Sequence, residues 1–171
     1  GVLVGHEDDL AAALEDTRRA LERLPGKPLF EPAFQYDGLL VRIDLLLPED
    51  ERGHRHHLVE VKSTASVKGY HLPDAAIQAW VASQAGLQLA RVSIAHLDTG
   101  FVYAGNGDYR GLFRRTDITA SIAPLLEQSP AEFVIANRTV GRAQELADLF
   151  GGGIRACGFD AVSTPFDLVI N

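Results

Sequence analysis

The 171-residue chain contains no methionine, one cysteine and one tryptophan. The lone thiol, Cys157, excludes an intrachain disulfide, a four-cysteine zinc site and a cysteine-ligated iron–sulfur cluster, so a metal bound here needs oxygen or histidine ligands. No apolar run approaches the roughly 20 residues of a membrane span. The N-terminus also lacks the basic-then-apolar pattern of a secretory signal, so the expectation is a cytoplasmic protein with no membrane partner. Basic charge is short: 16 Lys and Arg stand against 23 Asp and Glu, a formal net charge of −7. That balance argues against a passive nucleic-acid coat protein but leaves room for an enzyme with a local basic groove. The missing methionine, even at position 1, and the end at Asn171 directly after an apolar run give the expectation of a fragment. Neither an internal repeat nor a low-complexity tract is present, and the oligomeric state is left open.

What is present suits a folded core. Apolar residues make up 46% and charged residues 23%, close to an ordinary soluble globular protein. At this length about two-thirds of the unfolded chain's surface can be buried, in one domain or two small ones. Leu10, Ala13, Leu14, Thr17, Leu21 and Leu24 recur at helical spacing, with Asp8 and Asp9 available as caps and Pro25–Gly26 as a stop. PLFEPAF (28–34) and GLLVRIDLLL (38–47) read as strands around Tyr36, Asp37 and Gly38. PEDERGHRH (48–56) reads as a polar loop and HLVEVKS as a third strand. Pro73 and Asp74 open a helix that passes through Gln78 and Trp80 to Gln84 and is closed by Gly86. LARVSIAHL (89–97) alternates as a strand, FVYAG and YRGLF suggest a hairpin about Asn106 and Gly107, and 117–128 suggests a helix. From there the text becomes β-α-β: EFVIANR, TVGRAQELADLF, GIRAC and FDLVIN follow the grammar of a parallel doubly wound sheet. The layout is α/β, with sequential antiparallel strands first and a change of texture near residue 120.

Within the first part, HLVEVKSTAS raises a specific question. Glu60 and Lys62 lie two apart in an apolar strand and so share a face. Asp44, in LLVRIDLLL, is costly to bury as a carboxylate unless it is paired or metal-bound. A connection through 48–56 could bring Asp44 beside Glu60, where Mg²⁺ or Mn²⁺ would relieve their repulsion and Lys62 could offset charge on a phosphate. Taken alone, Glu-x-Lys reads more simply as a surface salt bridge.

Asp44 and Glu60-Val61-Lys62 on neighbouring strands, followed by a helix, resemble the PD-(D/E)xK nuclease superfamily, in its exonuclease branch, over about residues 8–119. The resemblance implies a restriction-endonuclease-like mixed sheet flanked by helices, and metal-dependent hydrolysis of DNA. It implies Asp44 and Glu60 as metal ligands with the Val61 carbonyl, Lys62 as the catalytic lysine, Glu31 as a further acidic position and Gln78 as the helix glutamine. Many relatives place a tyrosine four residues after that glutamine, where this chain has Ala82; Tyr70 is the residue available for the DNA-end contact. The alternative within this fold is an inactive nucleic-acid-binding domain.

Elsewhere simpler readings win. His54, His56 and His57 read as a solvated polar loop rather than a metal site. Trp80 and Phe101 read as core and Tyr103 as hairpin packing. Arg110, Arg114 and Arg115 read as a solvated edge.

IANRTVGRAQELADLF, within a stretch running from about Ser121 to FDLVIN, resembles shikimate dehydrogenase. That resemblance implies a partial Rossmann segment in which Asn137, Arg138 and Thr139 contact the adenosine ribose and its 2′-phosphate. Arginine's planar fork then favours NADP over NAD, as a remnant site. The glycine-rich turn for the pyrophosphate is replaced upstream by RRTDITA, and GGGIR follows a helix instead of opening one. On this reading the alternative function of the chain is an NADP-dependent shikimate dehydrogenase fragment, inactive as truncated. Residues 1–120 and 121–171 are two units, and a join of two coding fragments near residue 120 is the simplest account.

Overall fold

The computed structural model describes residues 1–5, 9–127, 134–137, 141, 144 and 155–158. After β1 (Val2–Leu3), helix α1 (Leu10–Arg23) begins at Asp9, whose carboxylate accepts the Ala12 N–H at 2.9 Å. That bond satisfies one of the donors a helix start leaves open. Ala13, Thr17 and Ala20 form its buried stripe. Thr17 Oγ1 donates to the Ala13 carbonyl and accepts the Ala33 N–H, each at 2.9 Å, which ties the helix to the strand that follows.

The two long strands expected over 28–34 and 38–47 are each broken, giving β2 (Leu29–Phe30), β3 (Ala33–Tyr36), β4 (Leu39–Arg42) and β5 (Leu45–Pro48). The reason is local. Glu31 takes a left-handed conformation (φ 57°) and Pro32 has no N–H to offer a ladder. Opposite them the chain bends at Ile43–Asp44, with the Glu31 N–H donating to the Asp44 carbonyl (3.2 Å) and the Ile43 N–H to the Pro32 carbonyl (3.0 Å). β3 and β4 form a separate antiparallel hairpin over Asp37–Gly38, both at positive φ, while β2 and β5 enter the main sheet.

β6 (His56–Lys62), α2 (His71–Gln84), β7 (Leu89–Leu97), β8 (Phe113–Asp117) and α3 (Thr119–Leu126) complete this region. The six-stranded sheet has the order β1-β2-β5-β6-β7-β8. β6 pairs antiparallel with β5 and parallel with β7, and α2 makes the crossover between the parallel pair. Leu46, Leu58 and Ile94 from the sheet, Ala75 and Ala79 from α2, and Ile122 from α3 are fully buried in one cluster. A side chain such as Leu58 contributes roughly 2 kcal/mol on burial.

Three expectations are corrected. His56 and His57 belong to β6 and are buried, because the polar 48–56 loop ends a residue earlier than its composition suggests. No strand hairpin forms over 101–112: β8 starts at Phe113 and pairs with β7, while Tyr103 stacks on Tyr109 with ring centroids 4.9 Å apart. The helix expected over 117–128 runs from Thr119 to Leu126, with Asp117 accepting the Thr119 N–H at 2.9 Å.

α3 also passes without a break through residue 120, and its Ile122 lies in the sheet core. Beyond it, β9 (Val134–Asn137) and β10 (Arg155–Gly158) pair in parallel, as the β-α-β text expects. Gly141 and Gln144 are helical. FDLVIN, Arg138 and Thr139 lie outside the described residues. The architecture is a mixed α/β arrangement with an open sheet and, among the described residues, three helices.

Candidate functional site

Alternation along β6 turns Leu58, Glu60 and Lys62 toward α2, and the helix answers with Asp74 and Gln78, one turn apart on one face. Lys62 Nζ donates to Glu60 Oε1 at 2.8 Å and to Asp74 Oδ2. Gln78 Nε2 donates to Glu60 Oε2 at 2.8 Å and reaches Asp74 Oδ1 at 3.4 Å. Asp44 stands at the bend before β5, where its Oδ2 accepts the Val61 N–H at 2.6 Å. Asp44, Glu60, Lys62 and Gln78 are thus brought together as the sequence suggests, and Val61 contributes its N–H to the cluster.

Glu60 is 6% exposed. Burial pushes its carboxyl up to about 6; the Lys62 hydrogen bond opposes the rise and the neighbouring Asp44 and Asp74 charges add to it. Burial acts on Lys62 in the opposite sense to its partners: desolvation lowers it, but the hydrogen bonds to Asp74 and Glu60 prevail and raise it. The arrangement is a partly buried ammonium shared by two carboxylates, with an amide closing the far side. Gln78 Oε1 is buried without a partner.

Two expected members stand apart. The Glu31 carboxylate lies 3.7 Å from Arg42 Nε, held there by its left-handed backbone. Tyr70 is 69% exposed and packs edge-on against the His71 ring at 4.6 Å. Asp74 was missed, although its position four residues before Gln78 places both on one helix face, a signal readable in the sequence.

Comparison with known proteins separates a class from a particular family. The curated relatives are NADP-dependent dehydrogenases by name. Specifically, the chain is similar to the shikimate dehydrogenase (NADP(+)) of Marinobacter nauticus, 58% identical over 55 residues, 29% of this chain and 20% of that protein. It is similar to that of Alkalilimnicola ehrlichii at 55% over 49 residues, covering 28% and 18%. It is also similar to that of Methylococcus capsulatus at 40% over 89 residues, covering 50% and 26%. A match over half the chain cannot fit between residues 121 and 171, so the last similarity reaches upstream of residue 121. The chain spans about a fifth to a quarter of the length of these relatives. No family model matches it. No solved structure matches it.

These findings overturn the nuclease expectation and its hydrolase and DNA-binding corollaries, and they favour the dehydrogenase-fragment alternative over it: the similarity is to oxidoreductases. The Mg²⁺ or Mn²⁺ expectation falls with it. Among the described residues no group of three or more His, Cys, Asp or Glu side chains is placed to hold a metal ion. The physical reason lies in the cluster, where Lys62, Gln78 and the Val61 N–H already occupy the carboxylates that a cation would need. The restriction-endonuclease-like specification of the fold likewise reduces to the mixed sheet described above.

Proposed function

We propose that the chain is part of an NADP-dependent dehydrogenase of the shikimate kind and carries its adenosine-2′-phosphate-recognising segment within residues 121–171. The observation that carries this reading is the similarity to relatives whose names specify NADP(+). Asn137 supports it, since it ends β9 where β10 runs parallel, with Asn137 paired to Gly158. The carboxyl ends of parallel strands are where doubly wound sheets hold nucleotides. Arg138 and Thr139 follow directly in sequence; Arg138 supplies a planar pair of donors to the 2′-phosphate, and Asn137 and Thr139 bind the ribose. The cofactor, when bound, supplies hydride transfer, while the residues of this chain bind and orient its adenosine end.

Calorimetric titration with NADP and NAD tests this reading. The expected result is a preference for NADP of about tenfold, equivalent to about 1.4 kcal/mol, lost in Arg138→Ala. Equal affinity for the two cofactors in the unmodified chain would refute it.

A further inference from the structure

The opposite face of β6 presents a different set of groups. His57 turns away from α2, and strand pairing places Arg91, Ser93, Arg115 and Asp117 on the same side. With Glu49 they line a cavity of about 500 Å³, within the size range of small-ligand sites. His57 Nε2 lies 2.8 Å from Ser93 Oγ, and His57 Nδ1 lies 3.3 Å from Glu49 Oε1. Arg91 fixes Glu49 in turn, its Nη2 donating to both carboxylate oxygens at 2.6 and 2.8 Å.

Hydroxyl, imidazole and carboxylate in that order are the parts of an activated serine: a nucleophile, the base that takes its proton and a group that orients the base. Burial lowers the imidazolium of His57, and the Arg91 charge adds to the effect, so the ring favours the neutral form that accepts a proton. Ser93 and His57 are 2% and 5% exposed, yet both border the cavity. Arg115 pairs through its backbone in the β7–β8 ladder, and among the described residues its side chain makes no hydrogen bond or ion pair. Asp117 is engaged by Thr119 through the N–H at 2.9 Å and the hydroxyl at 2.7 Å. Arg115, exposed at the cavity rim and close enough for its charge to act on His57, therefore offers a positive charge at the edge of the cavity.

We propose that this cavity is a serine-dependent hydrolase site for small acyl esters, with Ser93 as nucleophile, His57 as general base and acid, Glu49 as positioning residue and Arg115 facing the carbonyl oxygen. Ser93 Oγ bonds to the ester carbonyl carbon as its proton passes to His57 Nε2. The carbon–oxygen bond to the alcohol then breaks, and His57 returns the proton to the departing alcohol. Water, deprotonated by His57, attacks the acyl-serine. The carboxylic acid leaves and Ser93 recovers its proton, so ester and water give acid and alcohol without redox change. The proposal is independent of the NADP reading.

The test uses the full chain with a fluorophosphonate probe, which phosphonylates an activated serine with loss of fluoride, and with p-nitrophenyl acetate. The expected results are one phosphonyl group mapped to Ser93 by peptide mass spectrometry, and ester hydrolysis that falls about a hundredfold or more in Ser93→Ala and in His57→Gln. Glu49→Gln removes a charge that raises His57, so the acid limb of its pH–rate profile moves to lower pH. An unlabelled folded wild type, an adduct at any other residue, or hydrolysis unchanged in a folded Ser93→Ala variant would overturn the proposal. Adduct mapping on the wild type decides the matter even if a variant fails to fold.

Discussion

The two faces of β6 carry polar side chains under opposite conditions. Beneath α2, Glu60 and Lys62 sit in a closed network in which both Glu60 oxygens and the ammonium have partners from the chain itself. On the other face, His57 meets Ser93 and Glu49 at the wall of a cavity. The face beneath α2 resembles a reaction centre in sequence, yet its groups are spent on one another. The other face is as rich in charge but keeps a base and a hydroxyl beside open space. Charge in an apolar strand therefore identifies a site only when some valence points outward.

The largest expected effect breaks the closed face. Lys62→Met leaves the buried Glu60 and its neighbour Asp74 without their shared cation. It should lower the unfolding free energy by about 3 kcal/mol in a urea titration, the low end for breaking a buried pair because Lys62 is partly exposed. A loss below about 1 kcal/mol would mean that solvent carries the pairing.

Next in size is a pH effect. Glu60 holds its proton to about pH 6 in the folded chain against 4.5 as its ordinary value. Its contribution is fully present below pH 4.5 and is lost as pH rises through about 6, a decline of about 2 kcal/mol. Glu60→Gln should flatten that decline in unfolding curves measured from pH 4 to 7; an unchanged slope would assign it elsewhere.

Smaller effects sharpen the contrast. Asp44→Asn weakens the acceptor of the Val61 N–H and should cost about 1 kcal/mol. It also removes a like charge, so Glu60 should titrate below its wild-type midpoint in carboxyl ¹³C NMR. Ser93→Ala should change stability by about 1 kcal/mol or less, since one hydrogen bond to His57 is lost. A much larger loss would make the His57–Ser93 pair a structural fixture.

Alternation alone placed Glu60 and Lys62 side by side, and the resemblance named Gln78, so three of the four side chains of the closed network were pointed to before the structure. Asp74 was legible in principle by its helical spacing from Gln78, but its position at the helix start made it look like a cap. Glu31 was not legible, because its left-handed backbone follows from the chain turning at Pro32 and removes its carboxylate to Arg42. His57 was hidden for a different reason. A run of charged and histidine residues masks the first residues of β6, and the partners that bury His57 come from β7 and β8, far along the chain. The α2 and β7 segments followed the hydrophobic text, but their parallel β6–β7 pairing did not, since the strands were expected to be sequential and antiparallel, and neither did the 101–112 connection, whose aromatic residues pack on each other rather than in a ladder.

The functional lesson runs the same way. A compact constellation suggested hydrolysis, whereas the relatives are dehydrogenases by name, and the segment we propose for their cofactor, Asn137-Arg138-Thr139, lies far along the chain from that constellation. If that segment reads the 2′-phosphate, it does so without a glycine-rich pyrophosphate turn in the preceding text, so the two ends of the cofactor should respond differently. The most direct measurement is ³¹P NMR of NADP titrated with the purified chain. The account predicts that the 2′-phosphate resonance shifts and broadens first, and that Arg138→Ala abolishes the effect. A response confined to the pyrophosphate, or none at saturating protein, would contradict it.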